Sequence, residues 1–297
     1  VFVKVELLKA MAEAYEKQIE DVDRAIETYG EILELDPHHF DAANTLSRLQ
    51  EQIEDWPSAI ETMGRLADLT ADPVAKVELV TRMGRVLHQK LMNSEEAEMR
   101  LNQALELDPG HVPALVLLAD IYRQRADWLK ASRTLETASD CSHNALEKTQ
   151  LAAEAAFINY EELENRDKAV ELFARTMELD PEHIRVGKVL SDIYFTADRY
   201  DLADPIFDML TRKVEQLDLD DDDQRELFLR AARSARYLGN IDKALKQYKR
   251  AYDTDSTNHE VLVGMADLLF EKQDWERAFK LYQTILVQHR DTQPAED

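Results

Sequence analysis

The histidines of this chain could bind a metal ion, and their spacing tests this possibility. His39, His111 and His183 each stand two positions after the proline of an Asp-Pro pair, and Asn258 takes the equivalent place in a fourth copy. A zinc site needs three or four converging ligands, and Cys141 is the single cysteine of the chain. The recurrence favours a turn residue over a metal ligand, so we predict no metal and no cofactor.

The acidic run at residues 218–226 invites comparison with a calcium loop. Asp218, Asp220 and Asp222 have the spacing of the first calcium ligands, but the sixth position is Asp223 instead of glycine and the twelfth is Leu229 instead of glutamate. The run is therefore predicted to be a solvated loop whose last aspartates cap the helix that follows. A basic partner could contact this loop.

The motifs of common catalytic centres are missing from the sequence. It contains no glycine-rich phosphate loop, no G-x-S-x-G elbow and no H-E-x-x-H pair, and Cys141 has only His143 in its neighbourhood. Pairs of carboxylates carry no information because the whole chain is acidic. We predict no enzymatic activity.

The charge balance restricts the partners. Sixty acidic residues against 36 basic ones give a formal net charge of −24, which repels phosphate backbones and anionic membrane surfaces and attracts cationic partners. The longest apolar runs, at 114–118 and 261–270, are too short to span a bilayer. We expect protein or peptide partners, among them basic ones, with no nucleic acid and no membrane insertion, and a cytoplasmic location is favoured.

The sequence is a repeat with alternating spacings. LELDP, LELDP and MELDP occupy 33–37, 105–109 and 177–181, so they recur with a period of 72. Eight alanines stand in equivalent places, at successive intervals of 34, 38, 34, 38, 34, 41 and 34: Ala25, Ala59, Ala97, Ala131, Ala169, Ala203, Ala244 and Ala278. Apolar residues at helical spacing on both sides of each alanine predict a helical hairpin per copy, hence sixteen helices.

Small and large residues alternate in a way that suits helix packing. Antiparallel helices approach closely only where one of them presents little side chain. A second small position recurs on the first helix of each hairpin: Ala12, Ser47, Gly84, Ala119, Ala156, Ser191, Ala231 or Ala232, and Ala266. Large residues follow four positions after each alanine: Tyr29, Met63, Leu101, Leu135, Phe173, Phe207, Tyr248 and Tyr282.

Prolines mark helix ends and starts. Asp-Pro ends a helix because proline cannot continue the hydrogen-bond ladder, whereas Pro57 and Pro113 suit a first helical turn. Pro205 fits only if its helix starts near Asp201, and otherwise implies a kink. The odd-numbered hairpins are predicted to carry one extra residue before their second helix.

The small residue, the alanine, the aromatic that follows it and the LELDP terminator together resemble the tetratricopeptide repeat (TPR), over residues 6 to 290. The resemblance implies an all-α fold, an α-solenoid of eight helix-turn-helix repeats wound as a right-handed superhelix. We expect one solenoid domain over 1–297, organised as two-repeat units at about 1–72, 73–144, 145–218 and 219–297. The aromatic that the family carries on its first helix is mostly missing, since Ala43, Leu115, Gly187 and Leu262 stand there.

The resemblance also implies that first helices line a concave groove that binds protein segments. The residues it places there are Asn44, Arg48, Thr81, Arg85, Asp120, Phe157, Lys188, Asp192 and Phe195. The first four give a locally cationic floor, and the others a mixed and aromatic one. A carboxylate clamp of the kind known in the family would use Lys9, Asn44, Arg48 and Arg85, but Glu13 and Thr81 depart from that pattern.

The predicted function is a protein-interaction scaffold or adaptor within a multiprotein assembly, and the period of 72 resembles long-array bacterial TPR proteins. Alternatives are an RNA-processing scaffold of the half-TPR type, a regulatory module attached to an enzyme outside this chain, and a spacer without ligand. Val1 and the apolar residues near it suggest a piece of a longer protein. We expect further repeats or self-association at the ends of the array.

Overall fold

The computed structural model of the chain describes residues 2–288, which form sixteen α-helices and no β-strand. The first helices of the eight hairpins are α1 (Phe2–Ala14), α3 (Phe40–Gln52), α5 (Pro73–Gln89), α7 (Val112–Gln124), α9 (Ala145–Phe157), α11 (Ile184–Thr196), α13 (Asp221–Tyr237) and α15 (His259–Glu271). The second helices are α2 (Val22–Leu35), α4 (Trp56–Leu69), α6 (Ser94–Leu107), α8 (Trp128–Cys141), α10 (Arg166–Leu179), α12 (Tyr200–Arg212), α14 (Ile241–Thr254) and α16 (Trp275–Gln288). The predicted all-α solenoid of helical hairpins is confirmed over these residues.

The helices group into two compact units, Val1–Ala169 and Val170–Asp297. Consecutive helices pack together within a unit, as α5 does with α6 and α13 with α14, and in the first unit α5 also contacts α7. The single domain with four two-repeat units stays a prediction, as does its right-handed superhelical path. Val1 and residues 289–297, which begin and end the predicted units 1–72 and 219–297, lie outside the described residues.

The predicted packing of small against large residues is confirmed. All eight repeated alanines of the second helices are at most 1% exposed, and so are the small residues Ala12, Ser47 and Ala119 of the first helices. At Gly84, a Cβ atom would lie 2.7 Å from Cγ of Leu101. The helices of each hairpin therefore approach at a distance that only small side chains permit.

The turn inside each hairpin contains one left-handed residue in all eight copies. Five positions before each alanine, the backbone has a positive φ, at Glu20, Glu54, Met92, Ala126, Glu164, Asp198, Gly239 and Gln273. Glycine adopts this left-handed conformation without strain, yet it occupies only one of these eight positions. Seven turns therefore hold a side chain where glycine would fit better.

The residue after the positive-φ position caps the second helix. Seven of these residues are Asp or Asn whose side chain accepts the N–H three positions on: Asp21, Asp55, Asn93, Asp127, Asn165, Asn240 and Asp274. The exception is Arg199, which makes no side-chain cap bond to α12. The start of α12 thus lacks an interaction that the other second helices have.

Hairpins are joined by two kinds of junction. In one kind, an aspartate ends the second helix and its side chain accepts the N–H two positions on, as Asp36, Asp108, Asp180 and Asp255 do. The histidines of the sequence pattern lie here, as predicted for a recurring turn. Nδ1 of His39 and of His183 accepts the N–H that opens the next helix, at 3.2 and 3.3 Å, and Asn258 does the same with its amide oxygen.

The extra residue expected in odd-numbered hairpins is present in three of the four. In hairpins 1 and 5 it is absorbed by a π-helical turn after the first helix, Tyr15–Ile19 and Ile158–Glu162. In hairpin 3 the N–H of Asn93 reaches back six positions to the carbonyl of Leu87. The prediction is wrong for hairpin 7, where Asn240 reaches back only five positions, to Ala235.

Two further local predictions are confirmed. Helix α12 starts at Tyr200, next to the start near Asp201 that is predicted from Pro205. The helix is continuous through that proline. Asp220 is the N-cap of α13 and accepts the N–H of Asp223 at 2.8 Å. The last aspartates of the acidic run therefore form the first turn of this helix, where negative charge is favourable.

The missing cap of α12 gives a stability prediction. Arg199→Asn supplies the side chain found at three of the equivalent positions without adding negative charge, so the thermal midpoint should rise by about 2 °C. Arg199→Ala is the control, since it removes the contact of Arg199 with Asp201 without supplying a cap. Equal midpoints for the two variants would contradict the capping argument.

The positive-φ turns give a second prediction. Ala126 has φ 56° and Gly239 has φ 75°. Ala126→Gly should stabilise the chain and Gly239→Ala should destabilise it, each by about 1 kcal/mol, because a side chain costs energy in this conformation. The shift of the urea unfolding midpoint measures both, and a shift of Ala126→Gly to lower urea would refute the argument.

Candidate functional site

Ion pairs between consecutive first helices neutralise much of the predicted groove surface. In the first unit, Lys9 pairs with Asp41, Arg48 with Glu16, Arg82 with Glu51 and Arg123 with Glu154. In the second unit, Asp192 pairs with Arg230 and Arg236 with Glu271. Exposed pairs contribute little to stability, but they fix the positions of long side chains and cancel local charge. The groove surface is therefore less charged than its sequence indicates.

The predicted cationic floor of the first unit is reduced to one free charge. The guanidinium group of Arg48 donates to Glu16, whose side chain is mostly buried. Arg85 is exposed and has no carboxylate within 4 Å among the described residues. Arg85 is thus the residue of this set that is available to an incoming anionic group.

Three of the predicted residues line one depression, which we call the first-unit pocket. It lies between α3, α4 and α5, has a volume of about 540 Å³, and includes Asn44, Thr81 and Arg85. Asn44 is exposed, and Phe40 at the rim is 45% exposed. Thr81 is 3% exposed, and its Oγ1 has no hydrogen-bond partner within residues 2–288. The pocket therefore exposes an amide and a free guanidinium group, and the unpartnered hydroxyl of Thr81 is buried in its wall.

Arg48 faces a neighbouring polar depression of about 350 Å³ between α1 and α3. Asn44 lines both depressions, so they adjoin along the first helices. Tyr29 lies at the bottom of the second one, and its hydroxyl donates to Glu16 at 3.3 Å. Burial, with the charge of Glu16 as the second cause, raises the pKa of Tyr29 to about 12.

Asp120 and Phe157 are not brought into these depressions. Asp120 contacts Nε2 of His88 at 3.4 Å and Arg123 at 3.3 Å, while Phe157 is 6% exposed. The ring of His88 is buried, and its Nδ1 lies 3.2 Å from Oγ of Ser94. The sequence pattern does not predict this buried histidine network.

The remaining predicted residues gather in the second unit around Arg230. Its Nη1 lies 2.7 Å from Asp192, and its guanidinium carbon lies 5.8 Å from the ring centre of Phe195. Lys188, Asp192 and Arg230 line a pocket of about 200 Å³ between α11, α12 and α13, which we call the second-unit pocket. Burial raises the pKa of Asp192, and Arg230 opposes that rise.

The two pockets occupy equivalent places in the repeat. Asn44 and Lys188 are separated by two full periods of 72, whereas the separation of Arg82 and Arg230 is four positions longer. Both arginines line their pockets, and the sequence pattern predicts neither. Residues are inserted between Arg82 and Arg230, so their separation differs from two periods of 72 by four positions. A search at that period therefore does not connect them.

The equivalent arginines of the two pockets, Arg82 and Arg230, have different partners. Arg82 pairs with Glu51 at 2.6 Å, whereas Phe195 occupies the place equivalent to Glu51 in the second unit. Arg230 instead pairs with Asp192, which is equivalent to Arg48. The arginine of the first-unit pocket therefore has a glutamate as its partner, and that of the second-unit pocket has an aspartate and a nearby aromatic ring.

Clustered metal ligands and membrane-spanning helices are both missing from residues 2–288. No group of three or more His, Cys, Asp and Glu side chains in this range is arranged to hold a metal ion. None of its helices has the length and apolar character needed to cross a membrane.

Stacked helical hairpins of about 34 residues define a helical repeat protein, a class whose stacked repeats create extended binding surfaces. Residues 93–151 and 235–295 match the family model of the tetratricopeptide repeat. These two segments are tetratricopeptide repeats, and repeats of this family are protein-interaction modules. No curated protein matches its sequence.

Several solved structures are similar to the chain. A crystal structure of MamA protein is 19% identical, with 61% of this chain and 94% of that chain covered and a TM-score of 0.46. The C-terminal part of a TPR protein from Cytophaga hutchinsonii is 15% identical, with 88% and 99% covered and a TM-score of 0.46. YrrB, described as a TPR protein with an unusual peptide-binding site, is 16% identical, with 80% and 97% covered and a TM-score of 0.37.

The environment of Tyr29 gives a pH prediction. Its raised pKa means that the neutral phenol stabilises the fold below about pH 10, and that this contribution is lost as the pH rises towards about 12. Glu16→Gln should lower the pKa of Tyr29 while leaving it above 10, because burial remains. Ultraviolet difference titration against Tyr29→Phe measures this pKa. Tyr122, whose pKa is also raised to about 12, is the internal control and should not move.

Proposed function

We propose that the chain is an interaction scaffold whose first-unit pocket holds a segment of a partner protein. The observation that carries the proposal is the pair of exposed donors in one pocket, the amide of Asn44 and the unpaired guanidinium group of Arg85. An extended segment presents carbonyl oxygens and acidic side chains, which are acceptors for these two groups. The scaffold would serve a multiprotein assembly, and its net charge of −24 would attract basic parts of other partners.

Thr81 adds a buried polar group that the fold leaves without a hydrogen bond. A buried hydroxyl without a partner destabilises a fold by about 1 to 3 kcal/mol. A threonine in a helix usually satisfies its hydroxyl on the carbonyl four positions back, as Thr149 does with Ala145 at 2.9 Å. Thr81 lines the pocket without such a bond. The hydroxyl is closed to solvent, so a ligand acceptor would reach it after the side chain rotates into the pocket, and that bond would remove the penalty in the bound state.

Arg85 supplies specificity for an anionic group. Arg48 and Arg82 lie on the same surface but are held by Glu16 and Glu51. The guanidinium group of Arg85 can form a two-pronged contact with a carboxylate without breaking a pair inside the protein. The preferred partner segment therefore carries an acidic residue or a chain terminus next to its contact with Asn44.

A test uses short peptides selected from a random display library on the full chain. Arg85→Glu should weaken the selected peptides at least about tenfold, because it replaces a charge-assisted hydrogen bond with repulsion. Arg133→Glu, the same change at an exposed residue of α8, is the matched control and should have no effect. Fluorescence anisotropy measures both on the selected peptides that carry an acidic residue, and equal binding of these peptides to wild type and Arg85→Glu would refute the site.

Thr81→Val separates binding from stability in the same assay. Removal of the unpartnered hydroxyl should leave the urea midpoint unchanged or raise it, because the buried polar group is lost. The affinity for the selected peptides should nevertheless fall, by about three- to tenfold. A variant that loses both stability and affinity would show that Thr81 acts through the fold instead.

A further inference from the structure

We propose that the second-unit pocket binds an apolar side chain of a partner segment in which basic residues flank that side chain. The inference rests on the proposed function in one respect, that the ligand is a protein segment. It concerns a different pocket with different ligand chemistry, and the two can fail separately.

The second-unit pocket is walled by an insertion that its first-unit equivalent lacks. Asp220, the N-cap of the next first helix, stands seventeen positions after Ala203, whereas the equivalent Asp72 stands thirteen positions after Ala59. The usual spacing of 38 becomes 41 between Ala203 and Ala244, because these four residues are added and the extra residue of the other odd-numbered hairpins is missing from hairpin 7. The insertion therefore lies in the junction that borders the pocket.

The inserted segment is folded and fixed. It forms a short 3₁₀ helix, Val214–Gln216, and then places Leu217 in a buried position with 7% exposure. The side chain of Gln224 donates to the carbonyl oxygen of Leu219 at 3.1 Å and holds the end of the segment. Leu217 and Leu219 both line the pocket. The insertion thus provides a constant apolar wall.

The other walls continue this apolar surface. Phe207 and Leu210 of α12 are each about 1% exposed and reach the pocket, and Leu227 of α13 lines it too. The cavity of about 200 Å³ has room for one large apolar side chain. Burial of such a side chain contributes most of the affinity at an anchor position of this kind.

The charges at the rim decide the sequence around the anchor. Arg230 is held by Asp192 and Glu226, each at 2.7 Å, and is not available to a ligand. Asp223 also lines the pocket and has no ion pair among the described residues. Lys188 is the other cation of the lining, so carboxylates outnumber cations there by three to two.

The acidic run extends this negative rim beyond the pocket. Asp218, Asp220 and Asp221 lie in or next to the inserted segment and are exposed. An apolar side chain that enters between these aspartates and α11 brings its sequence neighbours within a few ångströms of them. Basic neighbours gain favourable electrostatic energy there, and acidic neighbours lose it. The chemistry of the ligand is therefore apolar at the centre and cationic on both sides.

The experiment measures three labelled peptides by fluorescence anisotropy on the full chain. The first has a central leucine flanked by arginines, the second has alanine in place of the leucine, and the third has glutamates in place of the arginines. The first should bind about tenfold more tightly than the second, since the second loses the buried side chain. The third should bind more weakly than either.

Variants locate the binding. Leu219→Ser in the wall and Asp223→Asn at the rim should each weaken the leucine peptide, by about tenfold and about threefold. Leu202→Ser, on an exposed leucine of α12 outside the pocket, is the matched control and should have no effect. Circular dichroism verifies that each variant is folded, and Asp223→Asn removes no cap because Asp220 caps this helix.

Four outcomes overturn the inference. Equal binding of the leucine and alanine peptides would indicate charge attraction alone, and equal binding of the leucine and glutamate peptides would show that the flanking charges have no effect. The other two outcomes are equal effects of Leu219→Ser and Leu202→Ser, and no binding of any peptide. Arg85→Glu should leave the leucine peptide unaffected. A changed affinity of that peptide with Arg85→Glu, in particular tighter binding of its arginines, would assign it to the first-unit pocket and would also refute the present inference.

Discussion

The close contact between the two helices of each hairpin is the constraint on which the rest of this structure depends. The contact is made by alanine on one helix and by Ala, Ser or Gly on the other, and these residues are essentially without solvent exposure. At Gly84 even one added carbon would overlap Leu101. These small residues are needed only where the two helices of a hairpin face each other. The outward faces of the first helices are then free to vary.

Because the contacts inside the hairpins use the same few residue types in every copy, the fold could be predicted from the sequence in detail. The eight alanines, the small residues opposite them and the Asp-Pro terminators each report a local requirement of packing or backbone geometry. Such requirements need no knowledge of distant residues. The one wrong register, in hairpin 7, arose where Ala231 and Ala232 both satisfied the small position. The hydrogen bond from Asn240 to Ala235 and the packing of Ala232 in one cluster with Ala244 distinguish the two.

The candidate sites were less accessible to sequence reasoning because they depend on contacts between hairpins. Arg48 is a cation in the sequence, but Glu16 of the preceding hairpin neutralises it in the fold. Phe157 takes the place of Arg48 in its own repeat, and its ring is buried there because an aromatic ring is more stable away from water. Arg82 and Arg230 escaped notice because the insertion between them breaks the period. Residue type and spacing identified the surface, whereas the ion pairs decide which of its groups remain available.

The two kinds of junction differ in how much length they permit. All four junctions that end in an aspartate turn place the next N-cap at the same fourteenth position after the alanine, at His39, His111, His183 and Asn258. The other kind takes thirteen positions in two copies and seventeen in the third. Junctions of the second kind therefore accept a change of length. A lineage, or a protein engineer, can lengthen one of them and build a new recognition surface while the hairpins on either side keep their packing.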